Sequence, residues 1–178
     1  MKNLLLAPFK NKAKVAEADL YVYGDIGPWD DLGQVSAKSV VAALKEIGGA
    51  STLNVRINSV GGDVCEGIAI YRQLSNYAGN VVVHIDGIAA SIASIIAMAG
   101  KTIKMGDNAQ MMIHNPAGGA WGDHRAVSKF LELLKNTKET LIDTYRKKSK
   151  TEKSTLSAWM DDETWFRAED AKKHGFVD

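Results

Sequence analysis

Residues 84–121 read HIDGIAASIASIIAMAGKTIKMGDNAQMMIHNPAGGAW, and their order decides which fold and which chemistry to expect. An apolar strand comes first, then a turn at Gly87, then Ser91 opening an Ala-rich helix, and beyond two more short strands a histidine, His114. A serine hydroxyl is a poor nucleophile until a base removes its proton, and a helix N-terminus adds partial positive charge that favours the developing negative charge. Ser91 is the candidate nucleophile and His114, at the end of an apolar strand, its base. Gly87 is expected to permit the turn, while Ala89, Ala90 and Ala93 keep the approach free of bulk. Two plainer readings compete: a serine commonly caps a helix, and Ser94, one turn later, is a rival nucleophile unless it bonds its own backbone.

On either side of this stretch, period-2 and period-3.6 patterns take turns, the mark of an α/β layer structure. Strands are predicted at 20–23 with Ile26, 53–58, 81–85, 102–105 and 111–114. Helices are predicted at 34–47, closed by Gly48 and Gly49, and at 64–77, where Val64, Ile68, Tyr71 and Leu74 share a face. Pro116, Gly118, Gly119 and Gly122 mark a loop. From Asp123 a long amphipathic helix begins, with Val127, Phe130, Leu134, Leu141 and Tyr145 at helical spacing, a stripe that fits another subunit or the chain's own core. Shorter helices at 152–160 and 168–174, the last stopped by Gly175, complete the chain.

The 178 residues, 46% hydrophobic, suit one domain with a filled core. Twenty-two basic residues against 21 acidic ones leave a net charge of +1, which gives no basis for nucleic-acid binding. The single cysteine, Cys65, excludes an internal disulfide and suits a reducing compartment. The run 4–7 is too short for the core of a signal peptide, so the start reads as an N-terminal arm. The stretch 88–99 is too short to span a membrane.

A base needs an acceptor to fix its tautomer, and Asp161, Asp162 and Glu163 before Trp165 are the best supply, with the choice open. Gly62, in the turn after RINS, can bring a backbone N–H to a substrate oxygen; with the N–H of Ile92 it would form an oxyanion hole. His84, His124 and His174 are expected to be structural. Neither a metal nor a cofactor is expected.

The motifs INSVGGDVCEG, GIAASIA, MMIHNPAGG and WFRAEDAKKHGFVD, in this order, resemble those of the Clp peptidase family, ClpP. The resemblance covers residues 53–178, and ADLYVYGDI adds the family's first core strand. It implies a ClpP/crotonase-like spiral of βα units with a protruding long-helix handle: an arm over 1–17, a head of 18–114 and 160–178, and a handle over 115–159. It implies a serine endopeptidase with Ser91 as nucleophile, His114 as base, Glu163 or Asp162 as acid, and Gly62 and Ile92 as oxyanion donors. Extended protein or peptide substrates would lie along Gly61, Asn115, Pro116 and Gly118 by strand addition. The resemblance also implies a ring-forming homo-oligomer, from hexamer to tetradecamer, in the cytoplasm.

The chain departs from the family pattern at Val60, where the family has proline, at Glu163, where it has aspartate, and at Asp161 and Asp162, where it has an acidic and basic pair. The segment before Tyr21 is short and the end at HGFVD abrupt, as in a trimmed or processed chain. These traits speak against docking of a AAA+ unfoldase. They are similar to the phage and prophage branch of the family, associated with head maturation, whose partners are capsid or scaffold proteins in a bacterial host cytoplasm. Other readings are a housekeeping ClpP subunit, a catalytically silent ring scaffold, an acyl-CoA enzyme of the crotonase kind, and a Ser/Lys dyad using Lys101 or Lys104.

Overall fold

The computed structural model describes residues 16–178, so the arm expected over 1–17 lies, up to residue 15, outside the described residues. Three parallel strands, β1 (Glu17–Tyr23), β2 (Thr52–Ser59) and β3 (Asn80–Ala90), carry the core on one face because apolar side chains recur at every second position. The register stacks them in rows. Leu20, Val55, Val83 and Ile103 lie side by side across four strands and are buried. The next row, Tyr21, Arg56, His84 and Lys104, points the other way. On that face Arg56 grips Asp86 through Nη2 (2.7 Å) and Nε (3.0 Å), and Tyr23 donates to the same carboxylate at 2.7 Å.

Helix α1 (Ala37–Ile47) begins three residues later than the sequence pattern predicts. Val35 pairs with Ile26, and Ser36 with Ser39 forms a capping box, so the chain is extended there. Helix α2 (Val64–Ser75) starts at Asp63, whose carboxylate accepts from Glu66 N at 2.9 Å. Beyond α3 (Ile92–Ala97), β4 (Thr102–Met105) pairs with the first half of β3 and β5 (Gln110–Ile113) with its last residues, so one long strand serves two short ones.

The long helix, α4 (His124–Arg146), is capped by Asp123 and splits its apolar stripe. Leu141, Ile142 and Tyr145 enter the core, whereas Val127, Leu131 and Leu133 stand exposed, as does Trp121 just before the helix. Helix α5 (Lys153–Asp161) follows, then β6 (Thr164–Arg167), a strand absent from the sequence expectations, and α6 (Ala168–Lys173). β6 runs antiparallel to β5 and sets Thr164 opposite Ile113, at the threshold of His114. The result is an α/β fold with a six-stranded, mostly parallel sheet. Among the described residues no helix is long and apolar enough to cross a membrane.

Candidate active site

The turn expected at Gly87 is not there. β3 continues through Gly87 because Ile88, Ala89 and Ala90 go on pairing with β5, and the bend falls on Ser91 itself, at φ 55° and ψ −129°. Residues with a side chain seldom occupy this left-handed region, and they persist there only when their surroundings over-determine them. Here Ser91 N donates to Met112 O at 3.0 Å, and Ser91 O accepts from both Ser94 N (3.0 Å) and Ser94 Oγ (2.6 Å). The Ser91 side chain makes no capping bond to α3; its Oγ instead lies 2.7 Å from His114 Nε2. Strand β5 delivers that histidine, just past its last paired residue. Ser94, the rival nucleophile, is fully buried and has its hydroxyl engaged with Ser91 O and with Tyr145 OH at 2.7 Å.

A glycine closes the other side of Ser91. Gly61, at φ +102°, leaves no room for a side chain: a Cβ would come within 2.7 Å of Ser91 Cβ and 3.2 Å of Ile92 N. The neighbouring turn is pinned by Ile26, whose N–H donates to Gly61 O and whose carbonyl accepts from Asp63 N, both at 2.8 Å. Neither the Gly62 nor the Ile92 amide donates to a backbone carbonyl among the described residues. In α2, Gly67 lets the Ile92 side chain press in, since a Cβ there would meet it at 2.2 Å. The first residue of α3 thus packs its side chain on α2 and has its amide beside the Gly61 turn.

Of the three carboxylates, the structure brings Glu163 to the histidine. Its Oε2 stands 3.9 Å from His114 Nδ1, beyond hydrogen-bond range but close enough for electrostatic orientation, and its side chain is 59% exposed. Glu163 also has a positive φ, 49°, at the turn from α5 into β6. Asp161 is taken elsewhere: its Oδ1 accepts from Asn115 Nδ2 (2.8 Å) and Lys138 Nζ (2.6 Å). These two bonds, Asn115 first, hold its carboxyl below the usual carboxylate range.

The loop expected to bind substrate has a different backbone state at one point. The backbone N–H of Asn115, which strand addition by a substrate would use, instead donates to Met160 O at 3.1 Å because α5 ends against it. The Asn115 Oδ1 atom is buried without a partner among the described residues. Gly118 packs beneath Phe130 of α4, where a Cβ would come within 2.9 Å of the ring; Pro116 lies in the same loop. The remaining histidines sit apart: His84 Nε2 is 3.3 Å from Asn54 Oδ1, His174 packs edge-on to Trp159 at 4.6 Å, and His124 opens α4. A Ser/Lys dyad does not form, since Lys101 Nζ donates to Gly79 O at the far end of β3 and Lys104 lies beside His84. Two residues that bond to this neighbourhood, Tyr145 and Lys138, carry no mark of it in the sequence, since their partners lie 51 and 23 positions away. No local pattern signals contacts at such range.

The family described as Clp protease matches residues 20–178. The chain is similar to an ATP-dependent Clp protease proteolytic subunit of Bacteroides fragilis, with 28% identity over 151 residues, covering 84% of this chain and 73% of that protein. It is also similar to ATP-dependent Clp protease proteolytic subunit 1 of Streptomyces avermitilis, with 31% identity over 151 residues, covering 82% and 69%. A third relative, subunit 1 of Leifsonia xyli subsp. xyli, is 26% identical over 84% of this chain and 76% of its own.

Proposed function

Because the chain belongs to the Clp protease family, we propose that it is an ATP-independent serine endopeptidase in which Ser91 is the nucleophile, His114 the base and Glu163 the acid. The observation that carries this reading is the 2.7 Å contact between Ser91 Oγ and His114 Nε2 on a bend at φ 55°. A strained strand-to-helix bend that lifts a serine towards a histidine serves acyl transfer and does nothing for a helix cap.

In the forward step Ser91 Oγ attacks the peptide carbonyl while His114 Nε2 takes its proton, and the electron pair of the C=O bond moves onto the oxygen. The amides of Gly62 and Ile92 hold that oxyanion. His114 then gives the proton to the amine as the C–N bond breaks, leaving an ester on Ser91. Water, deprotonated by His114, cleaves the ester and restores the hydroxyl. For Nε2 to accept, the ring must carry its proton on Nδ1, and the Glu163 carboxylate on that side favours this tautomer. Extended substrate lies along Gly61 and the loop of Asn115, Pro116 and Gly118 by strand addition.

The active unit is a ring of copies of this chain, with the exposed half of α4 as the handle and the head formed by 18–114 and 160–178. Exposed Val127 and Leu131, one turn apart on one face of α4, support this, because an apolar face left uncovered in the single chain suits contact with another copy. The finer assignment is head maturation in a phage, with capsid or scaffold proteins as substrates; Val60 before the glycine pair and Glu163 in place of an aspartate support it. The relatives' names, ATP-dependent Clp protease proteolytic subunits, favour a second reading, in which an ATP-driven unfoldase feeds the chamber. The test is cleavage of casein by the purified, assembled chain without nucleotide. Cleavage that Ser91→Ala abolishes is expected, and its absence from the folded, assembled wild type overturns the ATP-independent reading. If an unfoldase with ATP accelerates turnover of a folded substrate many-fold, the second reading replaces the first.

A further inference from the structure

Beneath Ser91 a short chain of hydroxyls runs from the end of α4 to the nucleophile's own peptide. Ser94 Oγ lies 2.6 Å from Ser91 O, a carbonyl that can only accept, so the single Ser94 proton is spent there. The 2.7 Å contact between Ser94 Oγ and Tyr145 OH must then be a bond that Tyr145 donates. The direction is fixed throughout: Tyr145 to Ser94 to the Ser91 carbonyl. All of it is dry, with Ser94 0% and Tyr145 1% exposed. Burial raises the Tyr145 phenol well above its ordinary value, so the donor keeps its proton.

The acceptor at the end of this chain is not an ordinary carbonyl. The peptide unit is planar and trans, so the Ser91 C=O and the Ile92 N–H are rigidly opposed: aiming one aims the other. Two donors on the oxygen, Ser94 N at 3.0 Å and Ser94 Oγ, also polarise the unit and strengthen the N–H on its far side. Tyr145 is in turn held by the core, edge-on to Phe176 at 5.7 Å.

We propose that Tyr145 is a positioning residue for the Ser91 reaction: through the Ser94 hydroxyl it fixes the Ser91–Ile92 peptide and so points the Ile92 N–H at the oxyanion. The proposal rests on the serine-peptidase reading above. It ties the seating of α4, the helix whose other half is exposed, to the charge-stabilising group of the site. Because an oxyanion exists only in the transition state, losing the link lowers kcat and leaves KM nearly unchanged.

The test uses the assembled full-length chain and the variants Tyr145→Phe, Ser94→Ala and the double substitution. Each is measured for kcat and KM on a fluorogenic peptide and for the rate of acylation of Ser91 by a fluorophosphonate. We expect kcat and labelling to fall about tenfold in each single variant, with KM within about twofold, and the double variant to be no slower than the singles. A purely structural role would lower the melting temperature and leave both rates unchanged in the folded protein. Folded single variants with rates within about twofold of wild type overturn the proposal, as do losses that multiply in the double variant. Should Tyr145→Phe fail to fold, Ser94→Ala decides alone. A wild-type chain unlabelled at Ser91 would instead remove the peptidase reading itself.

Discussion

On its Nε2 side His114 meets Ser91 Oγ at 2.7 Å, across a bend held by Met112, Ser94 and the Gly61 turn; on its Nδ1 side the nearest carboxylate, Glu163, stands 3.9 Å away and mostly in solvent. The first side is built from three parallel strands and buried bonds, the second from a short antiparallel strand and an exposed side chain. A nucleophile has to be placed to a fraction of an ångström, whereas an orienting charge acts over distance and tolerates looseness. The structure spends its packing accordingly. Glu163 itself sits at a turn with a positive φ of 49°.

Substitutions on the two sides of the ring should therefore differ sharply. His114→Ala, which removes the proposed base, is expected to lower kcat by about 10⁴-fold or more, measured on a fluorogenic peptide. Gly61→Ala, whose methyl would press within 2.7 Å of Ser91 Cβ at a φ of +102°, misplaces the nucleophile and costs about 10²-fold in the same assay. Glu163→Gln is milder, about 10- to 50-fold, because solvent screens the carboxylate; Asp162→Asn, with no part in the site, stays within about twofold. A loss of about 10⁴-fold from Glu163→Gln would show that the acid is as tightly placed as the nucleophile and would break the comparison.

The smallest effect belongs to Asp161. Its carboxyl is held below the ordinary value of 3.8 by Asn115 and Lys138. A depressed folded value means that its stabilisation is present above the unfolded value and lost as pH falls through the folded one. Asp161→Asn should lower the melting temperature slightly at pH 7 and not at all once the wild-type carboxyl is protonated in the folded state. A difference that persists at that acidity would mean that packing, rather than charge, holds the loop after His114.

Much of the tight side was legible in the sequence. Strands β2, β3 and β4 and helix α2 follow apolar periods that need no distant partner, and Ser91 and His114 announced themselves by order and neighbours. The bend was misplaced onto Gly87 because a glycine is where a turn is cheapest locally, whereas the ladder with β5 carries the strand past it and forces the turn onto a serine. Strand β6 escaped notice because four residues, TWFR, acquire their extended form only by pairing with β5. Tyr145 looked like one more member of an apolar stripe; its hydroxyl matters through Ser94, 51 positions away. The choice among three adjacent acids was open for the same reason, since only the turn out of α5 decides which of them faces the ring.

The most direct test of the central claim is fluorophosphonate labelling of the assembled chain with the modified residue read by mass spectrometry. An adduct on Ser91 is expected, lost in His114→Ala and formed more slowly in Glu163→Gln. A folded, assembled wild type with no adduct on Ser91, or an adduct that forms at full rate without His114, would contradict it.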